Sequence, residues 1–261
     1  MQANEIEKNN GELKRYALVL QYNGRNYHGW QKQPGDASIQ ETLEICFSNV
    51  LKAETQVWGC GRTDTGVHAR EYVAHFDAKT MTKDEINNFL WKMNSYLPND
   101  IRLLSMKIVN NDFNSRFDAI SRTYKYYITH TKQPFNDDFS CFIPQKLDLN
   151  LMNIAAKMLY QYDDFTSFSK LHTQVNNNIC KIMYAHWEKS EEYIVFTIKA
   201  NRFLRNMVRS IVGTMIDVGK GKITPDDFAK IIEAQDRSKA GVSVPAKALF
   251  LEKIEYDRTI F

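Results

Sequence analysis

Residues 59–69 read Gly59-Cys60-Gly61-Arg62-Thr63-Asp64-Thr65-Gly66-Val67-His68-Ala69, the most distinctive run in the chain. Its three glycines predict a loop in which the backbone can approach a ligand closely. The run nearly completes two nucleotide-binding motifs. Val67 stands where a P-loop requires a lysine, and Asp64 takes the third glycine position of a dinucleotide-binding fingerprint. The loop therefore supports neither NTP nor NAD binding.

Asp64-Thr65-Gly66 is also the active-site triplet of aspartic proteases, which need two carboxylates that share one proton. No second Asp-Thr-Gly or Asp-Ser-Gly occurs in the sequence, so a protease would have to be a symmetric dimer, and Arg62 would disfavour the shared proton. A structural alternative is a turn in which the Asp64 carboxylate accepts hydrogen bonds from nearby N–H groups. Cys60 lacks an evident base, and His68 fits a structural role as well as a functional one.

The second distinctive feature is a predicted helix that begins near Asn201. In such a helix Arg202, Arg205 and Arg209 are spaced three and four residues apart and form one stripe. The predicted buried face is the adjoining arc of Leu204, Val208, Ile211, Val212 and Met215. The arginines would lie at the boundary of the core, where a guanidinium can reach into a cleft and bind a carboxylate or a phosphate. An amphipathic helix with a solvated basic edge explains the same spacing.

The third feature is a predicted strand with alternating aromatic and basic residues, Arg122-Thr123-Tyr124-Lys125-Tyr126-Tyr127. Because side chains alternate across a strand, Tyr124 and Tyr126 share one face with Arg122. Aromatic and basic side chains on a sheet can stack on bases and hold phosphates. Tyrosine is also common in strands, so packing in the core is an equal alternative.

The overall composition permits a polyanionic partner without indicating one, because 34 basic and 31 acidic residues give a net charge of only +3. The four cysteines and six histidines show no metal-ligand spacing, which argues against a zinc site and a disulfide framework. The first residues lack the apolar core of a signal peptide, and no apolar run reaches membrane-spanning length. We therefore expect a soluble cytoplasmic protein without a bound metal.

The order of predicted elements indicates the fold class. Residues 1–12 are expected to be a disordered leader. Strands are predicted at 16–22, 101–108, 122–129, 185–189 and 193–199, and helices at about 148–162 and after the caps Ser38, Thr82 and Thr224. The predicted strands and helices do not follow the strict strand-helix-strand alternation of a doubly wound parallel sheet. We therefore expect an α+β protein with a central, mostly antiparallel sheet. An N-terminal α/β half at 13–110, which carries the Asp64 loop, and a C-terminal α/β half at 111–261 are expected to share it.

Further short motifs surround the Asp64 run in a fixed order. They are residues 22–24, 27–33, 113–119, 122–126, 164–168, 206–209 and 241–246. Together they resemble the TruA family of tRNA pseudouridine synthases over about residues 15–255. The resemblance implies the pseudouridine synthase-like fold of two α/β halves on a central antiparallel sheet, assembled as a homodimer. It implies conversion of uridine to pseudouridine in the anticodon stem-loop of tRNA, at neighbouring uridines on the 3′ side, with neither metal nor organic cofactor.

The resemblance also implies the roles of four residues. Asp64 matches the catalytic aspartate, and Arg209 matches the arginine that pairs with it. Tyr124 matches the tyrosine beside the target base, and Arg62 a residue associated with flipping the target nucleotide out of its stack. A nucleophilic aspartate must be ionised, and a nearby arginine favours the charged form.

Most of the RNA affinity is expected to come from phosphate contacts. Arg202 and Arg205 are candidates for these contacts, as are lysines such as Lys220 and Lys222. Glu71-Tyr72 stands where many relatives carry Gly-Gln. This difference affects the expected local shape of the loop but not the expected class of reaction. The main alternative is a non-catalytic structured-RNA-binding protein on the same fold, which would not need the catalytic residues together.

Overall fold

The computed structural model of the chain describes residues 12–170 and 177–257, so residues 1–11 of the predicted leader lie outside the described part. The strands are β1 Leu13–Tyr22, β2 Trp58–Gly59, β3 His68–Lys79, β4 Ile101–Val109, β5 Ser121–Thr129, β6 Cys141–Phe142, β7 Ile182–Lys189, β8 Ile194–Ala200 and β9 Leu249–Glu255. The α-helices are α1 Ile39–Leu51, α2 Lys83–Tyr96, α3 Leu149–Met158, α4 Met207–Gly219 and α5 Pro225–Glu233. None of these helices is long and apolar enough to cross a lipid bilayer.

All nine strands belong to one sheet, whose main order is β4-β1-β3-β9-β5-β8-β7. The short strands β2 and β6 pair with β3 and β5. Every pairing is antiparallel except the β5–β6 pairing and the β3–β9 pairing, where His68 lies opposite Phe250 and Ala69 opposite Leu251. The predicted α+β class with a central, mostly antiparallel sheet is therefore confirmed.

Three helix starts follow the caps that the sequence predicts. Ser38 accepts a hydrogen bond from a first-turn amide of α1. Thr82 and Glu85 form a reciprocal capping box at the start of α2, and Thr224 and Asp227 form another at the start of α5. Each cap satisfies amide groups that have no partner within the helix, and it depends on neighbouring residues alone. These starts could therefore be placed without knowledge of the tertiary structure.

The prediction of a helix that begins near residue 201 is wrong. Helix α4 begins at Met207, and its N-cap Asn206 has a left-handed backbone conformation with φ of +67°. A right-handed helix cannot continue through such a residue. Arg202 and Arg205 therefore lie in the preceding loop, and of the predicted stripe only Arg209 lies on the helix.

The buried apolar residues form two clusters that meet at the β3–β9 seam. One is built mainly from residues 16–113 and the other mainly from residues 126–249. Leu251 and Ile254 of β9 pack in the first cluster, whereas Val67, directly before β3, packs in the second. Tyr124 of β5 packs against both clusters. The seam therefore places the loop that contains Asp64 between the two cores.

Candidate active site

The loop that carries Asp64, residues 60–67, connects β2 to β3 and is held by the segment that follows β1. The Trp30 amide donates a hydrogen bond of 3.3 Å to the Thr63 carbonyl. The hydroxyl groups of Tyr22 and Thr63 share a buried hydrogen bond of 2.9 Å. The residue directly before Asp64 is thus fixed through both its backbone and its side chain.

Two glycines of the early motifs explain why this segment can approach the Asp64 loop so closely. A Cβ atom on Gly24 would lie 2.0 Å from the carbonyl oxygen of Val67, and one on Gly29 would lie 2.2 Å from that of Thr63. Gly29 also has a φ of +88°, which side-chain-bearing residues rarely adopt. A larger residue at either position would push the backbone of the Asp64 loop out of place.

His68 has a structural role at the end of the loop. Its Nδ1 accepts a hydrogen bond of 3.1 Å from the Gly24 amide, and its Nε2 lies 3.0 Å from the Lys247 carbonyl oxygen. Burial lowers the pKa of this imidazole. The contacts fit a neutral ring with its proton on Nε2, which ties three chain segments together.

The Asp64 carboxylate is paired with the guanidinium of Arg209 in the first turn of α4. Nη1 of Arg209 lies 3.3 Å from Oδ2 of Asp64. Nε of the same guanidinium donates a hydrogen bond of 2.8 Å to the Val244 carbonyl. Both side chains are mostly buried. The Val244 carbonyl orients one edge of the guanidinium, and the other edge faces the Asp64 carboxylate.

A second arginine reaches the other oxygen of the same carboxylate. Nε of Arg205 lies 3.8 Å from Oδ1 of Asp64, and 56% of the Arg205 side chain is exposed. Arg202, by contrast, donates a hydrogen bond of 3.2 Å to the side-chain oxygen of Asn177. The irregular loop before α4 thus brings only one of its two arginines to Asp64.

Tyr124 lies partly exposed between the two cores. The Phe203 ring meets it edge-on, with centroids 5.3 Å apart. Burial raises the pKa of the Tyr124 phenol, and the nearby Asp64 charge raises it further. Tyr126, on the same strand, is fully buried and donates a hydrogen bond of 3.0 Å to the Pro245 carbonyl, so it packs in the core.

Arg122 of the predicted basic and aromatic strand and Arg62 of the predicted site differ in their surroundings. The Arg122 guanidinium donates to four backbone carbonyls, those of Cys60, Arg116, Ala119 and Asn201. It therefore holds loops together and has little capacity left for a phosphate. Arg62 is exposed at the start of the Asp64 loop. Its guanidinium has no hydrogen bond or ion pair with another residue of the described ranges.

The geometry also decides between alternative chemistries. Cys60 is buried, and burial raises the pKa of its thiol to about 12, so it is protonated and inaccessible at neutral pH. The charged partners of Asp64 within the described residues are the guanidinium groups of Arg205 and Arg209. A protease dyad needs a second carboxylate and a shared proton, which two adjacent cations oppose.

Sequence reasoning missed two neighbours of the site, Val244 and Phe203. Val244 belongs to the motif at residues 241–246, which carries no chemically reactive side chain except that of Ser243. Its contribution is a backbone carbonyl, and the motif was the only signal for it. Phe203 lies next to Arg202 in the loop that was predicted as helix, which concealed its contact with Tyr124.

Relatives that share half or more of the sequence match nearly the whole chain. A family model described as tRNA pseudouridine synthase matches residues 155–257. The chain is 53% identical to tRNA pseudouridine synthase A of Bacteroides fragilis over 250 residues, covering 95% of this chain and 99% of the relative. It is 50% identical to the protein of the same name from Bacteroides thetaiotaomicron, with 95% and 93% covered. A solved archaeal Nop10–Cbf5 box H/ACA complex matches with a TM-score of only 0.30 at 10% identity, over 77% of this chain and 43% of that one.

Proposed function

The chain belongs to the tRNA pseudouridine synthase A family, and we propose that Asp64 is the nucleophile of this tRNA pseudouridine synthase. The observation that carries the proposal is the ion pair in which Arg209 lies 3.3 Å from Asp64. An adjacent cation favours the ionised carboxylate, which is the nucleophilic form. A purely structural aspartate in a glycine-rich turn would bond to backbone amides, whereas this one faces two guanidinium groups.

The reaction breaks the C1′–N1 bond of uridine, turns the freed base and joins C5 to C1′, with loss of the C5 proton and gain of a proton at N1. Asp64 forms its covalent bond either to C6 of the base or to C1′ of the ribose. In both routes the carboxylate loses its charge on attack and regains it when its covalent bond to C6 or C1′ breaks. Arg209 therefore keeps the Asp64 carboxylate ionised and oriented for attack, and its bond to Val244 holds the guanidinium in place during the reaction.

Tyr124 provides a flat surface beside the carboxylate for the extruded base. A phenol is protonated at neutral pH at its ordinary pKa, and burial raises the pKa of Tyr124 further. The edge contact from Phe203 fixes the orientation of the ring. We therefore propose that Tyr124 stacks on the uracil base and donates a hydrogen bond. We do not assign it the role of general base in the free enzyme.

Arg62 is suited to replace the uridine that leaves its stack. Extrusion of a base costs a few kcal/mol, which a side chain that fills the gap can offset. Arg62 is exposed, lies two residues from Asp64 and has no partner among the described residues that would restrain it. An Arg62→Ala variant that modifies folded tRNA at the normal rate would remove this role.

We propose the anticodon stem-loop as the target and a homodimer as the working form, in line with the family resemblance. Shape recognition across two subunits explains how one site can serve neighbouring uridines without reading a sequence. Arg205 and Arg202 are the proposed phosphate contacts. Arg205 has the stronger case because more than half of its side chain is exposed beside Asp64.

The proposed function is tested by tritium release from C5-labelled uridine in an unmodified tRNA transcript. We expect release by the wild-type protein without added cofactor and none by Asp64→Ala or by the near-isosteric Asp64→Asn. Release by either variant would refute the nucleophile assignment. Intact tRNA binding without release by the wild type would favour a non-catalytic RNA-binding protein.

A further inference from the structure

Residues 113–119 form a sequence motif that the proposed chemistry leaves unused. At its tip Phe117 is 75% exposed, and the Arg116 guanidinium carbon lies 5.2 Å from the centre of its ring. Ile120, shortly after, is half exposed. An aromatic ring, a cation and an aliphatic side chain are thus presented together to solvent, although burying the ring would be favourable.

The loop that presents Phe117 is rigid rather than frayed. The Asn114 side-chain oxygen accepts hydrogen bonds from the amides of Arg116 and Phe117, at 3.0 and 3.2 Å. The Asp118 amide in turn donates to the Asn114 carbonyl, and the Asp118 carboxylate accepts from the Asn114 amide at 2.8 Å. This carboxylate is therefore engaged within the loop. The exposed ring is held in place by its own turn.

The base of the loop is anchored in the protein through Ser115, which is fully buried. The Ser115 amide donates to Nδ1 of His75 at 3.2 Å, and its hydroxyl donates to the Trp58 carbonyl at 3.0 Å. The Arg15 guanidinium donates to the Phe113 carbonyl at 2.9 Å. Little conformational entropy remains to be lost when a ligand contacts this loop.

The same loop adjoins the Asp64 loop. Nη2 of Arg122 donates to the Arg116 carbonyl at 2.6 Å and to the Cys60 carbonyl at 3.0 Å. Two carbonyls that share one nitrogen must be neighbours, and Cys60 directly precedes Gly61 and Arg62. Arg122 therefore fixes the exposed ring relative to the loop that carries the catalytic aspartate.

We propose that Phe117 and Arg116 form a stacking platform for an unpaired nucleobase of the tRNA substrate, next to the uridine that is flipped toward Asp64. The proposal rests on the proposed tRNA substrate. Aromatic rings stack on any base, and the Arg116 cation complements the phosphate charge, so the platform would hold RNA without reading its sequence. The Arg116 carbonyl adjoins that of Cys60, two residues before Arg62, so the platform is held beside the loop that receives the flipped uridine.

The test compares the affinity of tRNA for Phe117→Ala, Phe117→Leu and Phe117→Tyr at one fixed salt concentration. Trp91→Ala is the matched control, because Trp91 is a 68% exposed aromatic residue on α2, a helix that packs against the edge strand β4. We expect Phe117→Ala to weaken binding of an unmodified transcript by on the order of 5- to 150-fold. Phe117→Leu should lose nearly as much, whereas Phe117→Tyr and Trp91→Ala should bind like the wild type.

Single-turnover tritium release at saturating protein should stay within about threefold of the wild type for Phe117→Ala, since a platform that binds equally throughout the reaction changes affinity and not the chemical step. Wild-type affinity for Phe117→Ala or Phe117→Leu would overturn the proposal, as would a change in subunit number by sedimentation, which would assign the ring to a protein contact. A wild type that binds tRNA but releases no tritium would count against the proposed function alone, because the affinity series needs no turnover.

Discussion

Arg209 is oriented by Val244, whose backbone carbonyl accepts a 2.8 Å hydrogen bond from Nε while Nη1 of the same guanidinium faces Asp64. The Val244 amide donates back to the Arg209 carbonyl at 3.2 Å. The two residues are therefore fixed to each other in both directions. Gly213, one turn further along α4, leaves room for this segment, because a Cβ there would lie 1.9 Å from the Val242 carbonyl oxygen.

Arg209→Lys should slow the chemical step even though it keeps the charge. A lysine ammonium cannot bond to Val244 and face Asp64 through two atoms of one rigid plane. Loss of a charge-assisted hydrogen bond should lower the single-turnover rate by on the order of 10- to 150-fold. The affinity for tRNA should change little, and a large loss of affinity with an intact rate would contradict the assigned role.

Gly24→Ala should displace the Asp64 loop. The added Cβ would meet the Val67 carbonyl oxygen at 2.0 Å, and backbone cannot swing aside as a side chain can. We expect a loss of about 1–3 kcal/mol in the free energy of unfolding, together with reduced turnover. Urea unfolding and tritium release measure the two effects.

Gly35→Ala is the matched control for that substitution. Its φ of +82° imposes backbone strain of about 1 kcal/mol, but no heavy atom outside the adjoining residues lies within 4 Å of the added Cβ. It should therefore cost some stability and leave turnover unchanged. Equal loss of turnover in both variants would indicate a general effect of glycine replacement rather than a clash at the Asp64 loop.

Stability should fall as the pH drops from about 6.5 to 4 because of His75. Burial lowers the pKa of His75 from 6.5 to about 4, so the unfolded chain binds a proton in this range while the folded protein does not. This group therefore destabilises the fold progressively below pH 6.5, by up to about 3 kcal/mol at pH 4. Urea unfolding at several pH values measures the slope.

His75→Asn isolates this contribution, because asparagine can still accept the bond from the Ser115 amide. Between pH 6.5 and 4, the free energy of unfolding of the variant should depend less steeply on pH. The difference in slope should correspond to up to one bound proton. The buried His68, whose pKa is also lowered by burial, should contribute a further loss of stability in the same direction. An unchanged slope in His75→Asn would mean that His75 is protonated in the folded protein.

The thiols should resist alkylation in the folded protein. Cys46, Cys60, Cys141 and Cys180 are all buried, and burial raises the pKa of Cys60 to about 12 and that of Cys180 to about 11. Iodoacetamide at pH 8 should therefore leave folded protein active, and mass spectrometry should find the four sites modified only in denaturant. Loss of activity with rapid modification of Cys60 would show that its surroundings open in solution.

The sequence was most informative where structure depends on neighbouring residues. The caps Ser38, Thr82 and Thr224 were placed correctly because each bonds within its own first turn. Strand β3 was not anticipated, because both of its faces are largely buried and it shows no clear alternation of apolar and polar residues. Its identity depends on the strands on either side of it.

The misplaced start of α4 has a local cause that periodicity conceals. The residues after 200 keep a helical spacing of apolar positions, yet Asn206 adopts a left-handed conformation that asparagine tolerates better than most residues. Arg205 still reaches Asp64, but from a loop rather than from the predicted stripe. The pairing of Asp64 with Arg209 joins residues 145 positions apart, and only the resemblance to a known family indicated it in advance.

The position of β9 has a consequence for synthesis of the chain. It is the last of the described strands to leave the ribosome, yet it lies in the middle of the sheet, between β3 and β5. Until it emerges, the nascent chain carries two half-sheets whose facing edges are unpaired, and such edges invite aggregation. A ribosome that stalls before residue 249 would therefore release a product for chaperones and proteases rather than a partly active enzyme.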